Sequence, residues 1–355
     1  MEKSQVRIKD IAKMAGVSVG TVDRVVNKRG NVSKQTQEKV EEVLKQINYS
    51  PNLIARSLGM AKTFKIAVII PNPDLDPYWG ISQTGIDKGI KEWNNHQIRI
   101  QTFSFDVKSN LSFLRATEEV LSQNVNAVLV APIFRLESIA FFKKLQDLKI
   151  PYILFNANFP EVSPLCFIGQ QLHQSGMVGA ELLHFAVPEG GKIAVLHTYE
   201  DIQTSVHLME KERGFRQYFK DLNDSKFEIV SLDIRIKEGD LSDHHLSAFL
   251  QDEKLRGIFI TTSSGAYLTA EILEKLGRHN VKIVGYDLLS QNIEYLKSGK
   301  ITFLINQNPM RQAFLGINHL ANYLLFKKLP PELDFFPLEI VTLQNLPSYL
   351  GSRIH

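Results

Sequence analysis

The sequence contains very little cysteine and no long apolar run. Its 355 residues include a single cysteine, Cys166, which cannot form an internal disulfide and agrees with a reducing compartment. The apolar residues come in short runs, none near the roughly 18 consecutive residues that a membrane-spanning helix requires. The first ten residues also lack the apolar core of a secretory signal. We therefore expect a cytoplasmic protein with no membrane span.

The sequence motifs of common enzymes are missing as well. No Gly-x-Gly-x-x-Gly follows a strand-like run, and there is neither a Walker motif nor a Gly-x-Ser-x-Gly elbow. The histidines, including the adjacent pair His244 and His245, show no metal-ligand spacing with cysteine or acidic residues. We expect a protein that is not an enzyme and that holds neither a cofactor nor a metal.

The length, composition and charge indicate several domains of different character. At 355 residues, 44% of them hydrophobic and 22% charged, the chain is long enough for two or three globular domains. Residues 1–62 carry 12 basic and 6 acidic side chains, whereas the remainder carries 29 basic and 32 acidic ones. A small basic segment on a mildly acidic body is typical of proteins in which only that segment meets a phosphate backbone, although a solvated basic tail would look similar.

Apolar residues at helical spacing predict three short helices in residues 1–50. Ile8, Ile11, Ala12 and Ala15 form one stripe, and Gly16 ends that helix. Ser18 is a favourable N-cap for a second helix through about Val26, and Ser33 for a third. The inward positions of the later helices are Val22, Val25, Val26, Val40, Val43, Leu44 and Ile47. Three short helices with a tight glycine turn between the first two describe a helix-turn-helix domain.

The basic N-terminal segment, residues 1–62, which we call the head, resembles the LacI/GalR family of bacterial transcription regulators. The matching segments are Ile8-Lys-Asp-Ile-Ala-Lys-Met-Ala-Gly-Val-Ser18, Thr21-Val22, Arg24-Val-Val-Asn27, Val32-Ser33 and Asn48-Tyr-Ser-Pro-Asn-Leu-Ile-Ala-Arg-Ser-Leu58. The resemblance implies that the second helix lies in the major groove of operator DNA. A three-helix bundle without a DNA role is the alternative, which the number of matching positions disfavours.

The resemblance assigns base reading to Val19, Gly20 and Arg24. Arg24 can bond guanine O6 and N7 with both arms, Val19 can touch a thymine methyl, and Gly20 contributes no side-chain bond. Asp23 departs from the small hydroxyl residue usual at its position, so the operator sequence remains open. The full set of DNA-binding residues that we predict is Val19, Gly20, Thr21, Arg24, Asn27, Asn52, Ala55 and Leu58.

Residues 51–63 are interpreted as a hinge helix and linker. The segment Asn52-Leu-Ile-Ala-Arg-Ser-Leu58 resembles the family's hinge helix, whose paired leucines wedge into a minor-groove base step and bend the duplex. Taken alone, Leu58 could equally be an ordinary helix-core residue. A helix of barely two turns is marginal in isolation, so its folding can be coupled to DNA binding.

From residue 64 onward, apolar strand-like runs alternate with amphipathic helices in two series. Such alternation predicts two doubly wound parallel-sheet lobes, with a ligand beyond the carboxyl ends of the strands. The predicted N-terminal lobe comprises about 64–168 and 305–328, and the C-terminal lobe about 169–304 and 329–347, within a ligand-binding domain over 64–355. The strand-like runs are Ile66–Pro71, Ile98–Phe105, Ala127–Pro132, Tyr152–Phe155, Ile193–His197, Phe227–Ile234, Gly257–Thr262 and Val281–Tyr286.

This body resembles the periplasmic-binding-protein fold of the same family, closest to the ribose-type members. The motifs are Asp76-Pro-Tyr-Trp79, Phe167-Ile-Gly-Gln170, Gln174-Ser-Gly176, Arg213-Gly-Phe215, Val284-Gly-Tyr-Asp287 and Asn306-Gln-Asn-Pro309. A sugar presents hydroxyls that need polar partners and C–H faces that stack on aromatic rings. The predicted ligand-binding residues are Asp76, Tyr78, Trp79, Asn156, Lys211, Arg213, Thr262, Asp287 and Gln307.

Several of these assignments stay open. Tyr78 and Trp79 could be lobe core instead of a stacking platform, whereas a carboxylate at position 287 is hard to explain as core. Asn156, Lys211 and Thr262 replace the family's acidic residue, arginine and asparagine, which favours a ligand other than a plain pentose. Arg213 either takes over the arginine role by a register shift or is simply solvated.

The expected function is that of a DNA-binding transcriptional regulator, with repression as the first expectation and activation left open. Its expected partners are double-stranded, near-palindromic operator DNA and a small effector, a sugar or sugar derivative, that alters operator affinity. A two-fold operator requires two recognition helices, so we expect a homodimer; residues 344–355 contain no leucine heptads for a tetramer. A free-standing transport protein would share the body but not the basic head.

Overall fold

The computed structural model describes residues 8–26, 30, 32–47, 63–198, 205–234 and 244–351. The chain divides into two compact units, Met1–Ala61 and Lys62–His355. Of the predicted DNA-binding residues, Asn27, Asn52, Ala55 and Leu58 lie outside the described residues, as does nearly all of the predicted hinge segment.

The first unit contains the three predicted helices. They are α1 (Ile8–Ala15), α2 (Val19–Val26) and α3 (Lys34–Gln46). Ile11, Ala12, Val22 and Val40 form its buried core, which confirms the stripes read from the sequence. The predicted caps are present too. Ser18 Oγ accepts from the Thr21 amide at 3.1 Å and Ser33 Oγ accepts from the Thr36 amide at 3.3 Å, each supplying an acceptor for an amide of the first helical turn that has none within the helix.

Within the described residues, the strands of the second unit form two six-stranded sheets. In chain order they are β1 (Phe64–Pro71), β2 (Ile98–Phe105), β3 (Ala127–Val130), β4 (Tyr152–Phe155), β5 (Cys166–Gly169), β6 (Gly191–Thr198), β7 (Phe227–Ile234), β8 (Leu255–Ile260), β9 (Lys282–Tyr286), β10 (Phe303–Asn306), β11 (Leu333–Phe335) and β12 (Glu339–Val341).

The helices of the second unit cover the faces of these sheets. They are α4 (Pro77–Trp93), α5 (Asn110–Ser122), α6 (Arg135–Asp147), α7 (Leu172–Ala186), α8 (Val206–Leu222), α9 (His244–Gln251), α10 (Gly265–Lys275), α11 (Ser290–Lys297), α12 (Pro309–Phe326) and α13 (Leu346–Gly351). None of these described helices combines the length and apolarity that crossing a bilayer demands.

Both sheets are doubly wound, as the alternation of strands and helices predicts. The strand orders are β11-β5-β4-β3-β1-β2 and β12-β10-β9-β8-β6-β7, and every neighbouring pair is parallel except β10 and β12. The central strands are covered on both sides, so Ile66 to Ile70 are all buried. A parallel sheet with helices on both faces requires such continuous apolar runs.

The boundary between the lobes differs from the prediction near the C-terminus. Ile305 and Asn306, expected in the first lobe, belong to β10 of the second sheet. β11, expected in the second lobe, pairs with β5 of the first sheet. The reason is that β11 has three residues at a sheet edge, with Leu333 and Phe335 both exposed, so no buried apolar run marks the sheet to which it belongs.

Glycines bring pairs of helices into close contact behind the strand ends. A Cβ on Gly176 of α7 would lie 1.9 Å from the Lys211 carbonyl oxygen of α8, and one on Gly214 would lie 1.8 Å from the His173 carbonyl oxygen. In the first lobe, a Cβ on Gly85 of α4 would lie 2.0 Å from the Met310 carbonyl oxygen of α12. These helices carry several side chains of the site described below.

Candidate functional site

A cavity of about 260 Å³ lies at the carboxyl ends of strands from both lobes. Its volume is slightly below the roughly 300–1,000 Å³ usual for small-molecule sites. Seven of the nine predicted ligand-binding residues line it, and Arg213 and Asp287 do not. The lining residues are Leu75, Asp76, Pro77, Tyr78, Trp79, Val107, Lys108, Asn156, Thr198, His207, Lys211, Thr261, Thr262, Ser263, Ser264, Tyr267 and Gln307.

The first-lobe wall is built on the start of α4. Asp76 caps this helix, because its Oδ1 accepts from the Tyr78 amide at 2.9 Å. The Tyr78 hydroxyl donates to Asn156 Oδ1 at 2.8 Å, and the Trp79 ring meets the Tyr78 ring edge to face at 4.9 Å. Both aromatic side chains are almost completely buried and also border the cavity. They therefore belong to the lobe core, and their role as a stacking platform stays a prediction.

The second-lobe wall centres on Lys211 of α8, whose surface is only 2% exposed. Its Nζ donates to the Thr261 carbonyl oxygen at 3.0 Å and lies 3.6 Å from the centre of the Tyr286 ring. Next to it, the hydroxyls of Thr198 and Thr262 are hydrogen-bonded to each other. Lys211, Thr198 and Thr262 all line the cavity, so an ammonium group and two hydroxyls belong to this wall.

Asp287 lies directly behind the cavity and is completely buried. Its carboxylate accepts from Ser263 Oγ at 2.6 Å, from the Gln307 amide at 2.9 Å and from Gln307 Nε2 at 2.6 Å. Burial raises the pKa of Asp287, and the hydrogen bonds from Ser263 and Gln307 act in the opposite direction. Ser263 and Gln307 border the cavity and Asp287 holds them, an arrangement that the sequence could not distinguish from direct contact.

Asn156 and Asp287 share an unusual backbone conformation. Both immediately follow a strand and have positive φ angles of 70° and 64°. Asparagine and aspartate tolerate the left-handed region better than other non-glycine residues. An asparagine or aspartate directly after a strand is therefore a sequence signal that could have supported the assignment of both positions to a sharp turn at the sheet edge.

Arg213 points away from the cavity. Its side chain is 71% exposed and pairs with Glu210 at 3.0 Å. The cause is helical geometry, since two residues along α8 rotate a side chain by about 200° relative to Lys211. Of the two roles that the sequence left open for Arg213, the solvated one describes its position.

A buried polar layer behind the second-lobe wall escaped the sequence analysis. His197, at the end of β6, shares a hydrogen bond with Thr261 Oγ1 at 2.8 Å through Nδ1 and bonds Glu212 Oε2 at 2.8 Å through Nε2. Burial raises the pKa of Glu212, but hydrogen bonds from His197, Ser231 and Arg216 outweigh it and hold the pKa at about 2. A histidine directly after the apolar run Ile193–Leu196 of β6 was the available signal.

Several lining residues were also missed. His207 and Tyr267 stand in the first turns of α8 and α10, and Lys108, Ser263 and Ser264 occupy loops after β2 and β8. All five follow the carboxyl end of a strand, so the placement rule that selected the other candidates would have included them.

In the first unit, α2 presents the predicted base-reading residues to the outside. Val19 is 52% exposed, and Gly20 and Arg24 are exposed as well. Thr21 is half-buried, and its hydroxyl bonds Ser18 Oγ at 2.9 Å. Val22 on the opposite side is fully buried, which fixes this outward face. An exposed valine at the start of a helix is consistent with a surface that another molecule covers.

Comparison with known families decides the identity of both units. Residues 7–52 match the family described as bacterial regulatory proteins, lacI family. Residues 66–328 match the periplasmic binding protein domain. The chain therefore carries a lacI-family regulatory domain at residues 7–52, and over most of its length it belongs to the periplasmic binding protein domain family.

Relatives of this protein include transcriptional regulators. It is 26% identical over 340 residues to the sucrose operon repressor of Streptococcus mutans, with 91% of this chain and 92% of that protein covered. It is 32% identical over 149 residues to the transcriptional regulator RegA of Clostridium acetobutylicum, a match that covers 41% of this chain and 42% of that protein.

A solved structure from Bacteroides fragilis, described as a LacI transcriptional regulator, superimposes with a TM-score of 0.75 at 26% identity. The superposition covers 81% of this chain and 100% of the Bacteroides fragilis chain. The predicted family, fold class and regulatory function are thus confirmed. The family consists of transcriptional regulators, which are not enzymes.

Proposed function

We propose that this protein is a homodimeric, cytoplasmic repressor that binds a near-palindromic operator. Its affinity for the operator falls or rises when a sugar or sugar derivative fills the cavity. The observation that carries this proposal is the cavity itself. It combines the Tyr78 and Trp79 rings with polar groups from both lobes, which is the combination of apolar and polar surface that a sugar requires. The Streptococcus mutans relative is a sucrose operon repressor, which supports a carbohydrate effector.

On the ligand side, we assign direct contacts to residues of both walls. Asp76, Asn156 and Gln307 would meet hydroxyl groups, and Tyr78 and Trp79 would border an apolar sugar face. Lys211 and Thr262 would contact the ligand from the second lobe. Asp287 would act through Ser263 and Gln307, because its own oxygens already accept three hydrogen bonds.

On the DNA side, we assign base reading to the exposed face of α2. Arg24 would bond a guanine with both arms, and Val19 would contact a thymine methyl. Gly20 and Thr21 would let the helix approach the groove. Asn27 would belong to the same contact surface, and Asn52, Ala55 and Leu58 would contribute a minor-groove wedge.

The test combines DNA retardation with a thermal-shift screen. Promoter fragments from the neighbouring genes should be retarded by the purified protein, and Arg24→Ala should abolish specific retardation while keeping the melting temperature. A screen of neutral sugars, sugar phosphates and sugar acids should yield at least one compound that raises the melting temperature and changes retardation. Failure to retard any fragment at low salt, with or without these compounds, would refute the proposal.

A further inference from the structure

The two walls of the cavity are connected by a chain of buried hydrogen bonds. From the second lobe, Ser263 Oγ and Gln307 Nε2 both donate to Asp287. Gln312 Nε2 donates to the Gln307 carbonyl oxygen at 2.8 Å, and Gln312 Oε1 accepts from the Asn156 amide at 3.0 Å. The Tyr78 hydroxyl then donates to Asn156 Oδ1, so the chain ends in the first lobe.

Gln312 is the member of this chain that joins the lobes without touching the cavity. It lies in the first turn of α12, immediately after the segment in which the chain leaves β10 of the second sheet. α12 packs closely on the first lobe, since a Cβ on Gly316 would lie 2.5 Å from a Leu129 methyl of β3. The backbone between the lobes is further fixed at Asn308, whose side chain caps α12 by accepting from the Arg311 amide at 3.3 Å.

Only a side chain with one donor and one acceptor at this length satisfies both partners. Gln312 is 1% exposed, so water does not compete for these groups. The Asn156 amide also bonds the Ile168 carbonyl oxygen at 3.1 Å, and its residue has a positive φ angle. Gln312 Oε1 is therefore one of the contacts that hold this turn, and with it the Asn156 side chain, in place.

We propose that Gln312 is a positioning residue that makes the two walls of the cavity behave as one unit. A change at Tyr78 in the first lobe is then felt at the Gln307 amide in the second, through Asn156 and Gln312. A contiguous set of buried hydrogen bonds is the physical basis for such coupling, and its demonstration requires a measured interaction between the ends. The consequence for sugar affinity rests on the proposed function, but the coupling itself exists without a ligand.

Hydrogen exchange of individual backbone amides in the ligand-free full-length protein tests the coupling. Gln312→Met keeps the length of the side chain but removes its donor and acceptor. We expect the amides of both Asn156 and Gln307 to exchange at least tenfold faster in this variant. Acceleration at Asn156 alone would show a local hydrogen bond and would overturn the proposal.

A double-mutant comparison separates coupling from simple loss of structure. Tyr78→Phe removes the hydroxyl that bonds Asn156 and should accelerate exchange at the Gln307 amide when Gln312 is present. In the Gln312→Met background, the same substitution should leave the Gln307 amide unchanged. Equal effects in the two backgrounds would overturn the proposal.

Asn318→Leu is the matched control on the same helix. It breaks a part-buried side-chain hydrogen bond, in which Asn318 Oδ1 accepts from Trp93 Nε1 at 2.5 Å, and neither residue lines the cavity. We expect it to lower the melting temperature without accelerating the amides of Asn156 and Gln307. Should Gln312→Met not fold, Gln312→Asn, which withdraws the amide by one methylene, provides the same comparison.

These exchange measurements use the ligand-free protein. A finding that no sugar binds would therefore refute the proposed function without affecting the test of the coupling, so the two failures are distinguishable.

Discussion

Glu212 carries a charge that the folded protein stabilises strongly. Its pKa is lowered from an ordinary value of 4.5 to about 2 by hydrogen bonds from His197, Ser231 and Arg216, which exceed the opposing effect of burial. A lowered carboxyl pKa contributes stability that is fully present above the unfolded-state pKa and disappears as the pH falls toward the folded-state value. The shift corresponds to on the order of 3 kcal/mol at neutral pH.

The first prediction follows from the direction of this pKa shift. Glu212→Gln should lower the melting temperature most near pH 7, and the difference from the wild type should narrow as the pH falls from about 5 to about 3, because a protonated glutamate resembles glutamine. Thermal unfolding measured across this pH range checks it. Glu210→Gln is the control, since its pairing with exposed Arg213 is a surface contact of small effect. A pH-independent difference for Glu212→Gln would contradict the assignment.

Gly20 provides a second prediction at the same scale. A Cβ on this residue would meet only Ser18 Oγ, at 3.9 Å, so alanine fits and should stabilise α2 by about 0.5–1 kcal/mol. If α2 enters the major groove, the added methyl should weaken operator binding while leaving random-DNA binding nearly unchanged. Gly16→Ala, at a φ of 64°, should destabilise the head instead. Unfolding and retardation assays measure both effects, and equal losses on operator and random DNA would argue against base reading at Gly20.

At the scale of elements, periodicity predicted what is long and regular. The stripe from Ile8 to Ala15 and the buried run from Ile66 to Ile70 each contain enough residues for the burial pattern to determine the element. β11 was not predicted, because its three residues lie at a sheet edge and carry no such burial pattern. The site was predictable as far as it follows strand ends. The burial of Asp287 was not, because it depends on Gln307, a partner 20 residues away.

The crossing of α7 and α8 gives the third prediction. Gly176→Ala would place a Cβ 1.9 Å from the Lys211 carbonyl oxygen, and because this atom is backbone, the helices must separate. We expect a loss of about 1–3 kcal/mol in the free energy of unfolding, measured by urea denaturation, together with displacement of Lys211 from the cavity wall.

Gly80→Ala is the matched control for that prediction. Gly80 is also a helix glycine, but its Cβ would lie 3.6 Å from the Pro73 carbonyl oxygen, an ordinary contact. This variant should be as stable as the wild type or slightly more so. If Gly176→Ala were equally well tolerated, close approach of the backbones would not be what requires glycine at this crossing.

At the scale of the whole molecule, the charge distribution matches the division of labour between the two units. The basic first 62 residues, with 12 basic against 6 acidic side chains, coincide closely with the first compact unit, Met1–Ala61. The second unit is mildly acidic and carries the cavity, so net attraction to phosphate is expected of the first unit, which contains α2. This separation of charge is needed if the first unit is to bind DNA while the ligand-binding unit does not.

Thermodynamic reciprocity provides the last prediction. If a sugar changes operator affinity by some factor, the operator must change sugar affinity by the same factor, because both describe one coupling free energy. Titrating the sugar identified by the thermal-shift screen into free and operator-bound protein, and measuring operator affinity with and without that sugar, gives two independent values. Arg24→Ala, with its substitution on the exposed face of α2, should retain sugar affinity but lose the operator's effect on it. Two factors that differ beyond error would mean that the sugar acts on something other than the DNA-binding equilibrium of this protein.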